Sequence, residues 1–120
     1  MTTIFPKSLT DIAEEALESC RGSGLMLAVA ESCTGGMVAA CLTSLAGSSA
    51  VVERGFVTYT NRSKQDMLGV PPHLFTTVGA ASEDVARAMA EGALERSQAH
   101  VSVSVTGIAG PGGATAGKPV

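Results

Sequence analysis

The spacing of apolar residues along the chain predicts alternating helices and strands. An amphipathic helix is expected over 8–21, because apolar residues recur there at intervals of three and four and glycines follow. The continuous apolar run 25–30 is typical of a strand buried on both faces. The run 50–59, rich in Val, Phe and Tyr, predicts a second strand, with Gly55 as a candidate bulge. Alternating Val and Ser over 101–105 predict a third strand with two distinct faces.

Helices are also expected in the segments that join these strands. Three of them are expected over 35–45, 61–69 and 83–97, and a short turn or helix is expected after Pro71 and Pro72. The residues expected to cap the three helices are Thr34, Asn61 and Ser82, in that order. The segment 107–120 is rich in glycine and proline and is expected to be a loop. This order of elements favours an α/β domain built in layers.

Composition narrows the class of protein. A chain of 120 residues is long enough for one domain, and a hydrophobic content of 45% is sufficient to form a buried core. Aromatic residues make up only 3%, so the core is expected to be aliphatic and an aromatic platform for stacking bases is excluded. The net charge is −3 and the basic residues are scattered, so no surface for nucleic acid or a membrane is predicted.

The N-terminus and the cysteines indicate the compartment. The chain does not begin with the pattern of a signal peptide, and its apolar runs are too short to span a bilayer, so we expect a cytoplasmic protein. The three cysteines lack the two-residue spacing of zinc and redox sites, and we expect them to be reduced thiols. The chain contains only two histidines, so neither a His-based metal site nor a Ser-His-Asp triad is expected.

Clusters of polar and glycine residues follow each of the three predicted strands. They lie at 31–36, 59–64 and 106–113. In open α/β sheets, ligands bind beyond the carboxyl ends of the strands. If the strands are parallel, the three clusters meet in one crevice, whereas an antiparallel strand would remove its own cluster from the site.

Ser32 lies in the first of these clusters, in a turn from strand to helix. Its side chain can project above the edge of the sheet there. The amides of Thr34, Gly35 and Gly36 are expected to face outward at the helix N-terminus, where they would stabilise an oxyanion. The competing interpretation is that Ser32 only caps the helix.

Lys64 is the candidate base for Ser32. It is the only lysine between Lys7 and Lys118, and it can accept a proton if burial or nearby positive charge lowers its pKa. Lowering that pKa from about 10.4 to about 7 costs roughly 4 to 5 kcal/mol, which requires a structured site. The competing interpretation is an exposed helix lysine. Tyr59 is expected to orient Lys64 or share its proton, or else to be half-buried in the core as a strand aromatic.

Cys33 is the rival nucleophile, since it adjoins Ser32 and the same helix dipole would lower its pKa. We place it below Ser32 because adjacent side chains rarely point into one site. Glu31 is expected either to pair with Lys64 or to orient the turn. The glycine loop 107–113 can present amides to a phosphate but lacks the lysine and hydroxyl of a P-loop.

Taken in order, these motifs resemble the CinA C-terminal domain family. The segments that carry the resemblance are Glu31-Ser32-Cys33-Thr34-Gly35-Gly36, Tyr59 to Lys64, Leu68-Gly69-Val70-Pro71, Gly79-Ala80-Ala81-Ser82 and Thr106-Gly107-Ile108-Ala109-Gly110-Pro111-Gly112-Gly113. The resemblance runs from about Leu9 to the last residue. It implies a single three-layer α/β/α domain over 1–120, with a central sheet that is mostly parallel or mixed.

The characterised members of that family are nicotinamide-nucleotide amidohydrolases of the PncC type. The resemblance therefore implies hydrolysis of nicotinamide mononucleotide to nicotinate mononucleotide and ammonia, in pyridine nucleotide salvage, without metal or cofactor. It assigns Ser32 as nucleophile, Lys64 as base and Tyr59 as its neighbour. The substrate-binding positions that it implies are Thr34, Gly35, Gly36, Asn61, Thr106, Gly107, Gly110 and Gly112. We expect the nucleotide as small-molecule partner, no nucleic acid or membrane, and a homo-oligomer.

Two departures from the family leave alternatives open. Many relatives carry this domain behind a larger nucleotide-processing domain, and they continue past Val120 with another strand and a further helix. We therefore expect a stand-alone form, truncated where 118–120 lead into a strand. Its uncovered strand 101–105 predicts poor stability or self-association. The alternatives are a non-catalytic nucleotide-binding or dimerisation module that retains the motifs, and a Ser-Lys amidase acting on another amide.

Overall fold

The computed structural model describes residues 3–120, in which a parallel sheet lies between two layers of helices. The strands are β1 (Leu27–Glu31), β2 (Val52–Val57) and β3 (Val101–Val105). The helices are α1 (Lys7–Gly22), α2 (Met37–Thr43), α3 (Asn61–Leu68), α4 (His73–Thr77) and α5 (Glu83–Glu95), with a short 3₁₀ turn at Ser48–Ala50. This confirms the three-layer α/β/α architecture expected from the sequence.

The sheet has the order β2-β1-β3, and β1 pairs in parallel with both neighbours. The carboxyl ends of the three strands therefore lie at one edge. The bulge predicted at Gly55 is wrong: Gly55 pairs regularly with Val29, and the register shifts instead at Glu53. Gly55 is needed for close packing, since a Cβ there would lie 3.1 Å from Val29 Cγ2 and 3.3 Å from Ala39 Cβ.

Each face of β1 contributes to a separate aliphatic core. Ala28 and Ala30 face α5, and the buried residues that join them are Phe56, Leu68, Val70, Val85, Met89 and Ala93. Val29 faces α1 and α2, where its buried partners are Ala13, Leu17, Leu42 and Val51. Small alanines on one face of β1 allow α5 to approach the sheet closely, which agrees with the aliphatic composition.

Two of the helices, α3 and α5, begin at hydroxyl caps. The prediction for Ser82 is confirmed, because its Oγ accepts a hydrogen bond from Val85 N at 3.2 Å. The prediction for Asn61 is wrong: Thr60 is the N-cap of α3, and its Oγ1 accepts from Ser63 N at 3.0 Å. Thr60 has the extended backbone that an N-cap requires, whereas Asn61 is already helical.

The predicted helix over 35–45 is shorter in the structure. Gly35 and Gly36 have φ angles of +59° and +107°, which are left-handed and cannot belong to an α-helix. The helix α2 begins only after them, and Thr34 is therefore not its N-cap.

The two faces of β3 have different surroundings. The hydroxyls of Ser102 and Ser104 donate to α5 carbonyl groups at 2.7 and 2.6 Å. On the opposite face, the Val103 side chain is 43% exposed and lines an apolar groove of about 540 Å³ beside α1 and α2. The segment 107–120 is a loop, as expected, and Lys118 forms a bridge with Thr115 rather than entering a strand.

Gly92 provides a test of the contact between α3 and α5. A Cβ at this position would lie 1.9 Å from the Leu68 carbonyl oxygen, so Gly92→Ala must push the two helices apart. We expect the free energy of unfolding to fall by about 1–3 kcal/mol or more, measured by urea denaturation followed by circular dichroism. Gly22→Ala is the matched control, since its Cβ meets nothing within 4 Å. Equal urea midpoints for both variants would contradict the packing described.

Candidate active site

The turns that follow the three parallel strands enclose one pocket of about 240 Å³. Its lining residues are Ser32, Cys33, Tyr59, Asn61, Lys64, Ala80, Thr106, Gly107 and Ala109. All three predicted clusters thus contribute to the pocket, because every strand of the sheet runs in the same direction. Among residues 3–120, no group of three His, Cys, Asp or Glu side chains is arranged to hold a metal ion.

Lys64 reaches the pocket from α3 and is only 1% exposed, which rules out the exposed helix lysine. Its Nζ donates to the Tyr59 carbonyl oxygen at 3.0 Å. Burial lowers the pKa of Lys64, and the neighbouring Cys33 acts in the opposite direction without reversing the shift. Within the described part of the chain, no carboxylate forms an ion pair with it. The site therefore favours the neutral amine more than water does.

Tyr59 is 68% exposed and holds Lys64 through its backbone rather than through its phenol. The interpretation of Tyr59 as a half-buried core aromatic is therefore wrong. Its carbonyl fixes the lysine amine, and Tyr59 is one of the residues that line the pocket. The orientation expected of Tyr59 is thus supplied by a main-chain atom, which any residue type can provide.

Ser32 is 6% exposed and lies in the turn after β1. Its backbone N donates to the Val105 carbonyl oxygen at 2.9 Å, which joins the turn to the end of β3. Its side chain does not cap α2, whose N-cap is Gly36. Over residues 3–120, the Ser32 hydroxyl has no hydrogen-bond partner in the protein, so it is free to interact with a molecule in the pocket.

Glu31 is the buried carboxylate that organises this turn. Its Oε1 accepts from Thr34 Oγ1 at 2.6 Å, Gly36 N at 3.2 Å and Val38 N at 3.0 Å, and its Oε2 accepts from Ala39 N at 2.9 Å. Burial by itself would raise the pKa of Glu31, but these hydrogen bonds outweigh it and hold the pKa below its usual value. Of the two roles expected for Glu31, the structure supports orientation of the turn and not pairing with Lys64.

The oxyanion donors expected at the start of α2 are mostly engaged inside the protein. The Gly36 amide donates to the carboxylate just described, and the Gly35 amide donates to the Ser32 carbonyl oxygen at 3.0 Å. The expectation is therefore wrong for these two glycines. The amides of Cys33 and Thr34 make no hydrogen bond within residues 3–120, which leaves them as the donors of this turn.

The structure brings together some of the predicted site residues and not others. Those that line the pocket are Ser32, Tyr59, Asn61, Lys64, Thr106 and Gly107; those that do not are Thr34, Gly35, Gly36, Gly110 and Gly112. Cys33 also lines the pocket, so the expectation that adjacent residues would not share one site is wrong here. Ser32 and Cys33 both lie beyond the end of β1, where side chains no longer alternate between the two faces of the sheet. Ala80 and Ala109 lie in segments that carry the resemblance but were not predicted as site residues, because alanine has no polar group to indicate a role. Ala80 is placed by the hydrogen bond from Thr106 Oγ1 to its carbonyl at 2.9 Å.

A model of the CinA C-terminal domain matches residues 9–120. The chain belongs to this family. The CinA-like protein of Geobacter sp. (strain M21) is 59% identical over 117 residues, which are 98% of this chain and 28% of that protein. The CinA-like protein of Chlorobium phaeovibrioides is 54% identical over 109 residues, 91% of this chain and 26% of that protein. The chain thus spans roughly a quarter of the length of these curated relatives.

Solved structures of CinA proteins have the same fold. The competence/damage inducible protein CihA of Agrobacterium tumefaciens superposes with a TM-score of 0.94 at 55% identity, over 99% of this chain and 72% of that one. A competence-damaged protein (CinA) superfamily member from Escherichia coli gives a TM-score of 0.88 at 33% identity, over 99% of this chain and 70% of that one. No helix among residues 3–120 is both long and apolar enough to cross a membrane.

The burial of Lys64 predicts an unusual effect on stability. The pKa of Lys64 is lower in the folded than in the unfolded chain, so the unfolded chain binds more protons between the two values. Folding stability should therefore rise with pH through that window. At neutral pH, Lys64→Met should unfold at the same temperature as wild type or higher, because an apolar side chain of similar length replaces a buried ionisable group.

Thermal unfolding from neutral pH to about pH 10 measures this effect, since the wild-type gain with pH should be absent from Lys64→Met. Lys7→Met, at an exposed lysine of α1, is the control and should follow the wild-type pH dependence. A large loss of stability in Lys64→Met at neutral pH would show that the lysine serves the fold instead.

Proposed function

We propose that this chain hydrolyses the carboxamide of nicotinamide mononucleotide to give nicotinate mononucleotide and ammonia, with Ser32 as nucleophile and Lys64 as base. One observation carries the proposal: a buried lysine and a buried serine without a protein partner line the same small pocket. A serine hydroxyl needs a base, and a lysine serves when its neutral form is favoured. Membership of the CinA C-terminal domain family supports the choice of reaction.

The first half-reaction makes an ester on Ser32. Its Oγ attacks the carboxamide carbon while the Oγ proton passes to neutral Lys64 Nζ. The resulting oxyanion accepts a hydrogen bond from the amide of Cys33, which lines the pocket and has no partner among residues 3–120. Lys64 then returns the proton to the amide nitrogen, the C–N bond breaks, and ammonia leaves the nicotinoyl ester behind.

The second half-reaction uses water and the same base. Water attacks the ester carbon while Lys64 Nζ takes one of its protons. The C–Oγ bond breaks, Lys64 returns the proton to Ser32 Oγ, and nicotinate mononucleotide is released. Metal and cofactor have no part in the proposed steps.

The shape of the site suits a substrate larger than its reacting ring. A second pocket of about 370 Å³ adjoins the first and shares Thr106 and Gly107 with it. We infer that the amide end occupies the smaller pocket, which contains both reacting side chains, and that the sugar and phosphate extend across Thr106 and Gly107. The glycine at 107 carries no side chain to obstruct that passage.

The purified chain should release ammonia from nicotinamide mononucleotide in the presence of a chelator. Ser32→Ala, Lys64→Ala and the double variant should retain similar residual rates. If the two residues act as a unit, removing either one abolishes the contribution of both, and removing the second costs little more. Lys64→Arg should also be inactive, since arginine keeps its proton. Wild-type activity should rise with pH through the Lys64 pKa, which lies below that of an ordinary lysine. A coupled ammonia assay measures the rates of the wild type and of the four variants.

Lys7→Ala is the control for the loss of a lysine that lies outside the pocket, and circular dichroism verifies that each variant is folded. Near-normal turnover by Lys64→Arg would remove the lysine from the mechanism. Tight binding of the nucleotide without ammonia release would instead favour a non-catalytic binding module, and ammonia from a different amide would favour another substrate.

Cys33 lines the pocket beside Ser32, so the choice of nucleophile needs its own test. We expect Cys33→Ser to keep most of the wild-type kcat, because the thiol makes no step of the proposed reaction. Cys41→Ser, which lies on α2 away from the pocket, is the matched control. If Cys33→Ser lost as much activity as Ser32→Ala in the ammonia assay, the nucleophile would be Cys33.

A further inference from the structure

Glu31 is a buried charged residue to which the proposed reaction gives no role. Its backbone carbonyl accepts hydrogen bonds from Thr58 N at 2.8 Å and from Thr58 Oγ1 at 3.3 Å, which fix it to the end of the sheet. Its carboxylate accepts the four hydrogen bonds that come from the turn and from the first residues of α2. Glu31 thus connects the end of the sheet to the start of α2, and Ser32 lies in the turn between these two elements.

The chain between residues 31 and 39 is closed into a loop by this carboxylate. Gly35 and Gly36 have left-handed φ angles that give this stretch unusual freedom in the absence of restraints. Inside the loop, the Ser32 amide is tied to the end of β3. The positions of Ser32 and Cys33 in the pocket therefore depend on the contacts that Glu31 makes at the far end of the loop.

A simple cap for α2 would not require this arrangement. Short polar residues at the N-cap position normally satisfy the first amides of a helix, but that position is Gly36, which has no side chain to do so. A carboxylate from the preceding strand takes over this task, and no basic residue among those described forms an ion pair with it. The side chains of Ser32 and Cys33 are thereby released from capping and can line the pocket.

We propose that Glu31 is a positioning residue, which holds the turn 32–34 so that Ser32 Oγ stays in the pocket with Lys64 and the Cys33 and Thr34 amides stay unengaged. Its effect on turnover rests on the proposed function, whereas its effect on the turn does not. Glu31 acts through the loop and does not touch the substrate, because it is not among the residues that line the pocket.

Glu31→Gln is the central variant, because it preserves the shape of the side chain but replaces one acceptor oxygen with an NH₂ group that cannot accept. We expect kcat for ammonia release to fall about tenfold to a hundredfold while KM changes little, and Glu31→Ala to lose more. Thr34→Val removes only the 2.6 Å hydrogen bond and should cause a smaller loss, which keeps the test available if Glu31→Ala fails to fold.

The matched control is Glu53→Gln. Glu53 is also a shielded carboxylate at a strand, with a side chain only 14% exposed, and it accepts from the Gln98 amide at 3.0 Å, but it does not line the pocket. It should lose stability without losing kcat. If Glu31→Gln and Glu53→Gln had the same kcat as wild type, the positioning role would be overturned.

A second readout does not depend on turnover. The rate at which iodoacetamide alkylates Cys33, resolved from the other cysteines by peptide mass spectrometry, reports the position of the turn. It should increase several-fold in Glu31→Gln and stay unchanged in Glu53→Gln, and hydrogen exchange at Gly36, Val38 and Ala39 should accelerate in parallel. If wild type released no ammonia, the proposed function would fail alone, and an unchanged Cys33 rate would still overturn the positioning role.

Discussion

The parallel pairing of β1 with a strand on each side is the constraint on which the rest of the molecule depends. It brings three turns that are far apart in sequence to one edge of the sheet, and the pocket exists only because they meet there. The alanines of β1 let α5 approach one face, while Gly55 lets α2 approach the other. Small residues in the central layer thus set how closely the helices pack on the two faces of the sheet.

Two ionisable groups, Glu31 and Lys64, are buried in this framework, and the environment of each lowers its pKa for a different reason. Hydrogen bonds lower the pKa of Glu31, so the carboxylate stays charged in spite of its burial. Burial lowers the pKa of Lys64, whose amine has a single carbonyl partner, so the neutral amine forms more readily than in an exposed lysine. A lowered pKa therefore has different consequences for the two residues. It keeps Glu31 an anion that holds the turn, and it makes Lys64 a base that can accept a proton.

Most of the fold could be predicted from the sequence, because the apolar periodicity of α1 and α5 and the alternation of β3 are local patterns. Ser32 was predictable as a polar residue directly after a strand, and Lys64 as the only lysine between Lys7 and Lys118. The role of Glu31 in the turn was only one of two alternatives, since its partners are decided by the left-handed glycines and not by composition. The backbone contact from Tyr59 to Lys64 could not be predicted, because a carbonyl group carries no residue identity.

The aromatic content of the chain has a spectroscopic consequence. Tyr59 is the only tyrosine and there is no tryptophan, so the intrinsic ultraviolet emission of the folded chain comes almost entirely from one ring. Tyr59 is one of the residues that line the pocket, and it is largely in contact with solvent. A molecule that enters the pocket and contacts the ring displaces water from the dominant fluorophore of the chain, so occupancy becomes an optical signal that needs no label, no coupled enzyme and no turnover.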